Sequence, residues 1–414
     1  MKTRWCEQKN VLDIFFKITL SGAFFAVLGF LIALISSTSV SQSANIFEGI
    51  FSDFVEIMNV SIEESPYIIE GSSYPPLAIM ILYPFALICS SVFAKYAGLT
   101  LTVNELTSRI VVTPQFWISI SLFFIVCTSL IVLLVSKKYG FRQNDLFKIA
   151  ITVITSAPFA YAVIRGNTIY FALIFTMVFI TLKDSDRPLV RELSYICLAI
   201  AGCLKIYPLF FGVFLLKDKK IFASLRVAAY FFALFFTSFF FFETDLSNVF
   251  EFTENLGGFM SNEARLLGYN NLSLSSIVFK AMHLFAPDIS AGSTAYTIIS
   301  LIAIISVFAL GTIAAIMTKN DLTRLIISSF VIVLIPSISY FYVLIFTIIP
   351  LLEYIKTQNY IPKTNSRIYL FSFLFLYISF FVLPRFFLLH SILIIALLMY
   401  EILGVFRNEI FRKK

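Results

Sequence analysis

The chain has 414 residues, 59% of them hydrophobic and only 13% charged, with a mean hydropathy of +0.92. Soluble domains carry about 25% charged residues, so this composition excludes a string of soluble domains and indicates one all-α integral membrane domain over residues 1–414. The net charge of +7 reads as the cytoplasmic bias of a multi-span protein and not as a nucleic-acid surface.

Cys6, Cys89, Cys127, Cys197 and Cys203 lie in the N-terminal tail or inside apolar runs, which leaves no loop for a disulfide framework or a thiolate zinc cluster. His283 and His390 are the only histidines. A metal, if one is used, would be a divalent cation held by oxygens.

In chain order, the apolar run Ile14 to Ser36 follows Lys2, Arg4 and Lys9. It exceeds the roughly 7 to 15 apolar residues of a cleavable signal and predicts an uncleaved first span with a cytoplasmic amino end. Residues 37–74 form a first outer loop: no Lys or Arg occurs between Lys17 and Lys95, whereas Glu48, Asp53, Glu56, Glu63, Glu64 and Glu70 do. Within it, "SDFVEIMNV" predicts a short amphipathic juxtamembrane helix with Asp53 and Glu56 on one face. Either carboxylate has the chemistry of a general base; solvated loop surface is the alternative.

Residues 75–97, with Pro75, Pro76 and Pro84, are expected to dip into the membrane and return outward. Arg165, Gly166 and Asn167 mark a tight turn between apolar runs. Residues 192–216 are expected to be two short crossings meeting near Lys205 and Pro208, and residues 243–290 a second outer loop, with Glu243, Asp245, Glu251, Glu254 and Glu263 against Arg265. Two more short crossings meet near Pro336, which brings Lys319, Arg324, Lys356, Lys363 and Arg367 inside. Proline is where a membrane helix breaks most easily, and broken segments are where membrane sites tend to be built.

These breaks put the basic groups Lys137 to Lys148, Lys183 to Arg191, Lys217 to Arg226 and Arg407 to Lys414 on the cytoplasmic side. The total is about twelve spans, within a range of 10 to 14, with both termini cytoplasmic. Asp53, Tyr74, Arg165, Asn167, Lys205, Tyr207, Asn270 and Asn271 then all face outward. Lys205, in "AIAGCLKIYPLFF", would cost roughly 2.5 to 3.5 kcal/mol at bilayer depth; a snorkelling side chain is the bland alternative. A Lys and an Arg converging there suit an anionic lipid phosphate.

The ordered segments "SDFVEIMNV", "YIIEGSSYPPLAIMILYPF", "RGNTIYFALIF", "LKIYPLFFGVFLLKDKK", "YNNLSLSSIVF" and "PSISYFYVLIFTIIPLL" resemble glycosyltransferase family 87 over roughly residues 45–352. These are GT-C type enzymes that move a sugar from a polyprenyl-phosphate carrier, outside the cytoplasmic membrane. The resemblance implies that Asp53 is the loop carboxylate, that Tyr74, Pro75, Pro76 and Leu77 match Tyr-Pro-Pro-Leu, that Lys205, Tyr207 and Pro208 match Lys-x-Tyr-Pro, and that Asn271 and Ser273 match Asn-x-Ser. The chain departs from the pattern in having Asn167 where Gln is frequent, and Tyr340 and Tyr342 where a Trp or His is.

The resemblance further implies a mannose-like hexose or a pentose as the sugar, a glycan or glycolipid as acceptor, membrane lipid as surroundings, a part in making cell-envelope polysaccharide, and inversion at the anomeric carbon. Asp53 would be the base, with Tyr74, Arg165, Asn167, Lys205, Tyr207 and Asn271 binding substrate. Two rival readings are an O-antigen or capsule polymerase and a lipid-linked sugar flippase. Against the first, the outer loops are acidic with only Arg265; against the second, no internal repeat is visible and the candidate charges sit toward one surface.

Overall fold

The computed structural model describes residues 11–25, 27, 50–68, 71–99, 101–243, 247–382 and 387–410. The later part of the expected first span, Glu48, Glu70, Asp245 and the terminal groups Lys2, Arg4, Lys9, Arg412, Lys413 and Lys414 lie outside the described residues.

The described chain is helical, with no β-strand among the described residues. Helix α1 covers residues 11–25. It is followed by α2 (Ser52–Ser61), α3 (Pro76–Phe93), α4 (Val103–Ile110), α5 (Pro114–Tyr139), α6 (Gln143–Ile154), α7 (Ala157–Arg165), α8 (Ile169–Leu182) and α9 (Pro188–Leu204). After a 3-10 turn at Tyr207–Gly212 come α10 (Val213–Lys217), α11 (Ile221–Thr237), α12 (Ser247–Met260), α13 (Glu263–Leu267), α14 (Leu274–Phe285), α15 (Thr294–Met317) and α16 (Asp321–Leu334). A further 3-10 turn, Phe341–Thr347, leads into α17 (Ile348–Thr357), α18 (Lys363–Val382) and α19 (Phe387–Ile410).

Proline does more starting than breaking here. Pro76, Pro114, Pro158 and Pro188 stand in the first turns of α3, α5, α7 and α9, where the missing amide costs nothing. Segment 75–97 is therefore not interrupted: α3 runs unbroken through Pro84 and packs along α2. The helix following α3, α4, also packs on α2, so the chain leaves and returns to the same neighbour without a break at proline. The bend lies elsewhere, at residues 155–156, where α6 and α7 meet at 59°.

At Lys205 and at Pro336 the expected interruptions do occur, α9 ending at Leu204 and α16 at Leu334, each followed by a 3-10 turn. Among the described residues six helices are long and apolar enough to cross a membrane, or seven if the bent α6–α7 pair counts as one.

Burial divides the helices. Helices α8 and α16 are the buried centre; α8 is apolar on nearly every side, as such a helix must be, and α16 buries Arg324, Ser328 and Ser329 with its apolar residues. By contrast, α5 and α15 leave Trp117, Ile118, Ile125, Leu133, Ile302 and Ile305 exposed, the pattern of a lipid-facing surface.

Helix α8, about 21 Å long at 1.5 Å per residue, separates two chemically different ends. Beyond its carboxyl end, Lys138, Lys183, Lys217 and Arg324 meet Asp184, Asp218, Asp321 and Glu353 around a cavity of about 250 Å³. There Lys356 Nζ donates to the Tyr139 carbonyl at 2.9 Å. Lys138, Lys183, Lys217, Arg324 and Lys356, all assigned to one side by charge alone, thus gather at one end of the bundle.

Candidate functional site

The other end of α8 is built where α2 meets the end of α7. Gly166 closes α7 with φ 66°, and a Cβ at that position would stand 2.4 Å from the Cβ of Phe54. Only glycine permits both the left-handed backbone and this approach. The Phe51 amide donates to the Ile164 carbonyl, which docks the first turn of α2 onto the last turn of α7.

Asp53 is thereby delivered to the residues flanking Gly166. Its Oδ1 pairs with the Arg165 guanidinium, and its Oδ2 accepts from Asn167 Nδ2 at 2.7 Å. Asn167 is held in turn, its Oδ1 accepting from the Ile169 amide at 3.0 Å. Asp53 is only 3% exposed, and a carboxylate so buried needs donors of this kind on both oxygens.

Lys205 comes from the opposite wall. Its extended backbone ends α9, and the chain folds back so tightly that a Cβ on Gly202 would lie 2.6 Å from the Leu209 side chain. Lys205 Nζ lies 5.2 Å from the centre of the Tyr74 ring, a cation–π distance. Tyr74 is positioned by Tyr67, whose hydroxyl donates to the Tyr74 carbonyl at 3.1 Å. Among the described residues no carboxylate pairs with Lys205, although Asp53 and Glu56 are within its electrostatic reach.

An aromatic wall completes the arrangement. The Tyr161 and Tyr342 rings stack at 6.2 Å and 22°, and Asn270 Nδ2 donates to the Tyr161 hydroxyl at 2.7 Å. Tyr207 packs edge-on against Phe346 at 6.0 Å. Among the described residues its buried hydroxyl has no hydrogen-bond partner, nor do those of Ser52, Thr168 and Ser339, near in sequence to Asp53, Asn167 and Tyr340. Buried polar groups are normally satisfied, which sets these hydroxyls apart from the bonded groups around them.

Asn271 has a different place. Its Oδ1 accepts from the Ser273 and Ser339 amides at 3.1 and 2.9 Å, and its Nδ2 donates to the Arg265 carbonyl at 3.2 Å. Its carbonyl oxygen and one N–H are engaged with backbone, and it ties the segment before α14 to the one carrying Tyr340 and Tyr342.

Glu56 lies one turn beyond Asp53. Burial, reinforced by the charge of Asp53, pushes its carboxyl up to about 7, against the pull of Arg165, Arg265 and Lys205. As for metals, no group of three or more His, Cys, Asp or Glu side chains gathers among the described residues. Two carboxylates, one already held by Arg165 and Asn167, fit poorly the six or more oxygens a hard divalent cation takes.

Asp53, Arg165 and Asn167 are thus in contact, and Lys205 is in contact with Tyr74. Sequence reasoning passed over Tyr161 and gave Arg265 no role. Tyr161 sits four residues before Arg165 on α7, the spacing that shares a helix face; that was its available signal.

Residues 73–345, two thirds of the chain, match the family model of glycosyltransferase family 87. The chain belongs to glycosyltransferase family 87. It is therefore a membrane glycosyltransferase, with a sugar donor and an acceptor. In this family 87 enzyme the match includes Tyr74, Arg165, Asn167, Lys205, Tyr207 and Asn271, while Asp53 and Glu56 on α2 precede it. No curated protein matches the chain.

Proposed function

We propose that this glycosyltransferase takes a mannose-like hexose, or a pentose, from a polyprenyl phosphate and transfers it to a glycan or lipid-linked acceptor of the cell envelope. The reaction runs on the outer face of the cytoplasmic membrane, between the outer loops 37–74 and 243–290 of a chain with about twelve spans and both termini inside. The observation that carries the reading is a carboxylate fixed by Arg165 and Asn167 within electrostatic reach of a Lys205 that pairs with no carboxylate among the described residues.

The residue types suit the chemistry. Polyprenyl phosphate leaves with its charge and needs no general acid; it needs cations where that charge develops. Lys205 and Arg165 supply them, each well-placed donor contributing about 3 to 4 kcal/mol. Asp53 takes the proton of the acceptor hydroxyl as the oxygen attacks the anomeric carbon and the bond to phosphate oxygen breaks. Its contacts with Arg165 and Asn167 leave a lone pair on each oxygen for that proton. One base and direct displacement invert the anomeric centre. Tyr74 holds Lys205 in place, Asn271 holds the strip carrying Tyr340 and Tyr342, and the Tyr207 hydroxyl reaches the donor.

The test is transfer from radiolabelled polyprenyl-phosphate sugars to candidate acceptors by purified protein, comparing wild type with Asp53→Asn. Loss of transfer in Asp53→Asn with donor binding retained is expected. Unchanged transfer removes Asp53 as the base. No transfer from any donor, together with donor movement across liposomes, points to a flippase instead.

A further inference from the structure

Asp53 and Glu56 stand one turn apart on α2 and share a face, but only Asp53 is engaged by donors. The Glu56 carboxylate has no hydrogen-bond or ion-pair partner among the described residues. The charges facing it are Asp53 on its own helix, Arg165 at the end of α7, Lys205 at the break after α9 and Arg265 on α13. Tyr74, which also senses Glu56, is neutral. The remaining neighbours of α2 add nothing: α3 has no charged residue, Glu105 of α4 caps its own helix through Thr102, and Arg109 lies over the Tyr96 ring.

The charge count is informative. Three cations against two carboxylates leave the site at +1 with Glu56 ionised and at +2 with Glu56 protonated. A polyprenyl-phosphate sugar is a phosphodiester with one negative charge, and the departing polyprenyl phosphate carries up to two. The protonated site matches the charge of the departing group; the ionised site leaves a carboxylate competing with phosphate for Lys205 and Arg265.

We propose that Glu56 holds the place of the donor's phosphate charge in the resting site and takes up one proton from water as the donor binds. The proposal rests on the polyprenyl-phosphate reading above. No covalent bond to carbon changes in this step: an anion enters, and a proton moves from solvent onto a Glu56 carboxylate oxygen. Lys205 and Arg265 then meet the phosphate without the competing charge of the Glu56 carboxylate. With its carboxyl near 7, Glu56 makes the exchange within the range of ordinary working pH, and donor affinity falls as pH rises because the proton must be supplied.

The experiment measures binding of farnesyl mannosyl phosphate, which keeps one negative charge between pH 5.5 and 8.5, to the full chain in nanodiscs. Wild-type affinity is expected to fall by up to about thirtyfold across that range, with binding heats that shift with the ionisation enthalpy of the buffer. Glu56→Gln is expected to bind at pH 8.5 as tightly as wild type does at pH 5.5. A wild-type affinity flat with pH and no proton uptake overturns the proposal, and so does a pH dependence that persists in Glu56→Gln. If Glu56→Gln does not fold, the buffer dependence of the wild-type heat alone decides. Absence of binding at every pH removes the polyprenyl-phosphate donor, and this proposal with it.

Discussion

Arg165 and Asp53, 112 residues apart in sequence, form an ion pair that fastens the α7 turn to the short helix α2. The Arg165 side chain is 29% exposed and that of Asp53 5%, so the arginine reaches from the site's rim to a carboxylate that has no other ion-pair partner among the described residues.

Removing one member of that pair is expected to hurt more than removing both. Arg165→Met leaves Asp53 buried with only Asn167 as donor, a situation that costs about 3 to 5 kcal/mol for fully buried pairs and less here because the arginine is partly solvated. Thermal melting of Arg165→Met, Asp53→Asn and the double variant should show the double variant recovering part of the loss; strict additivity would mean that the pair is not coupled.

Gly166→Ala is expected to lower both melting temperature and transfer, since the new methyl meets Phe54 and the backbone is left-handed. Gly257→Ala is the control. That glycine lies inside α12 with nothing within 4 Å of the added carbon, and alanine there should stabilise by roughly 0.5 to 1 kcal/mol. Equal behaviour of the two variants would contradict the close packing of α2 on α7.

Tyr207→Phe separates a ligand contact from a structural one. A hydroxyl that serves no protein partner is not missed by the fold, so melting should be unchanged or raised. If the hydroxyl bonds the anionic donor, kcat/KM should drop by about tenfold to a hundredfold, the equivalent of about 1.5 to 3 kcal/mol. Normal kinetics would take Tyr207 out of the site.

Stability should depend on pH through Glu56. Below about 4.5 the carboxyl is protonated in folded and unfolded protein alike; between there and about 7 only the unfolded form ionises. Folding stability therefore declines as pH rises through this window and levels off above it, by at most about 3 kcal/mol. Melting curves of wild type and Glu56→Gln from pH 4 to 8 check the sign: the variant should lack the decline.

Sidedness can be read by labelling in a background lacking Cys6. Cys89, Cys127, Cys197 and Cys203 are buried, so a cysteine introduced at Ser185 or Ser261 is the reactive thiol. Ser185 is expected to label from inside only and Ser261 from outside only. Outside labelling at Ser185 would overturn the proposed topology.

The sequence by itself determined that this is a helical membrane protein and which family it resembles, because composition, apolar runs and charge bias are local properties. It also marked the interruptions at Lys205 and near Pro336. It misjudged Pro75, Pro76 and Pro84, because a proline starting a helix and a proline inside one read alike until the neighbours that accommodate the missing hydrogen bond are known.

Only the tertiary structure decided how the polar residues divide their work. Sequence spacing put Asp53 and Glu56 on one face, but not which of them is held by Arg165 and Asn167 and which is left without a partner. Nor could it reveal that Asn271 is tied to three backbone groups while the Tyr207 hydroxyl has no hydrogen-bond partner among the described residues. Ion pairing, desolvation and hydrogen-bond satisfaction depend on distances between residues more than a hundred positions apart, and those distances exist only once the helices have packed.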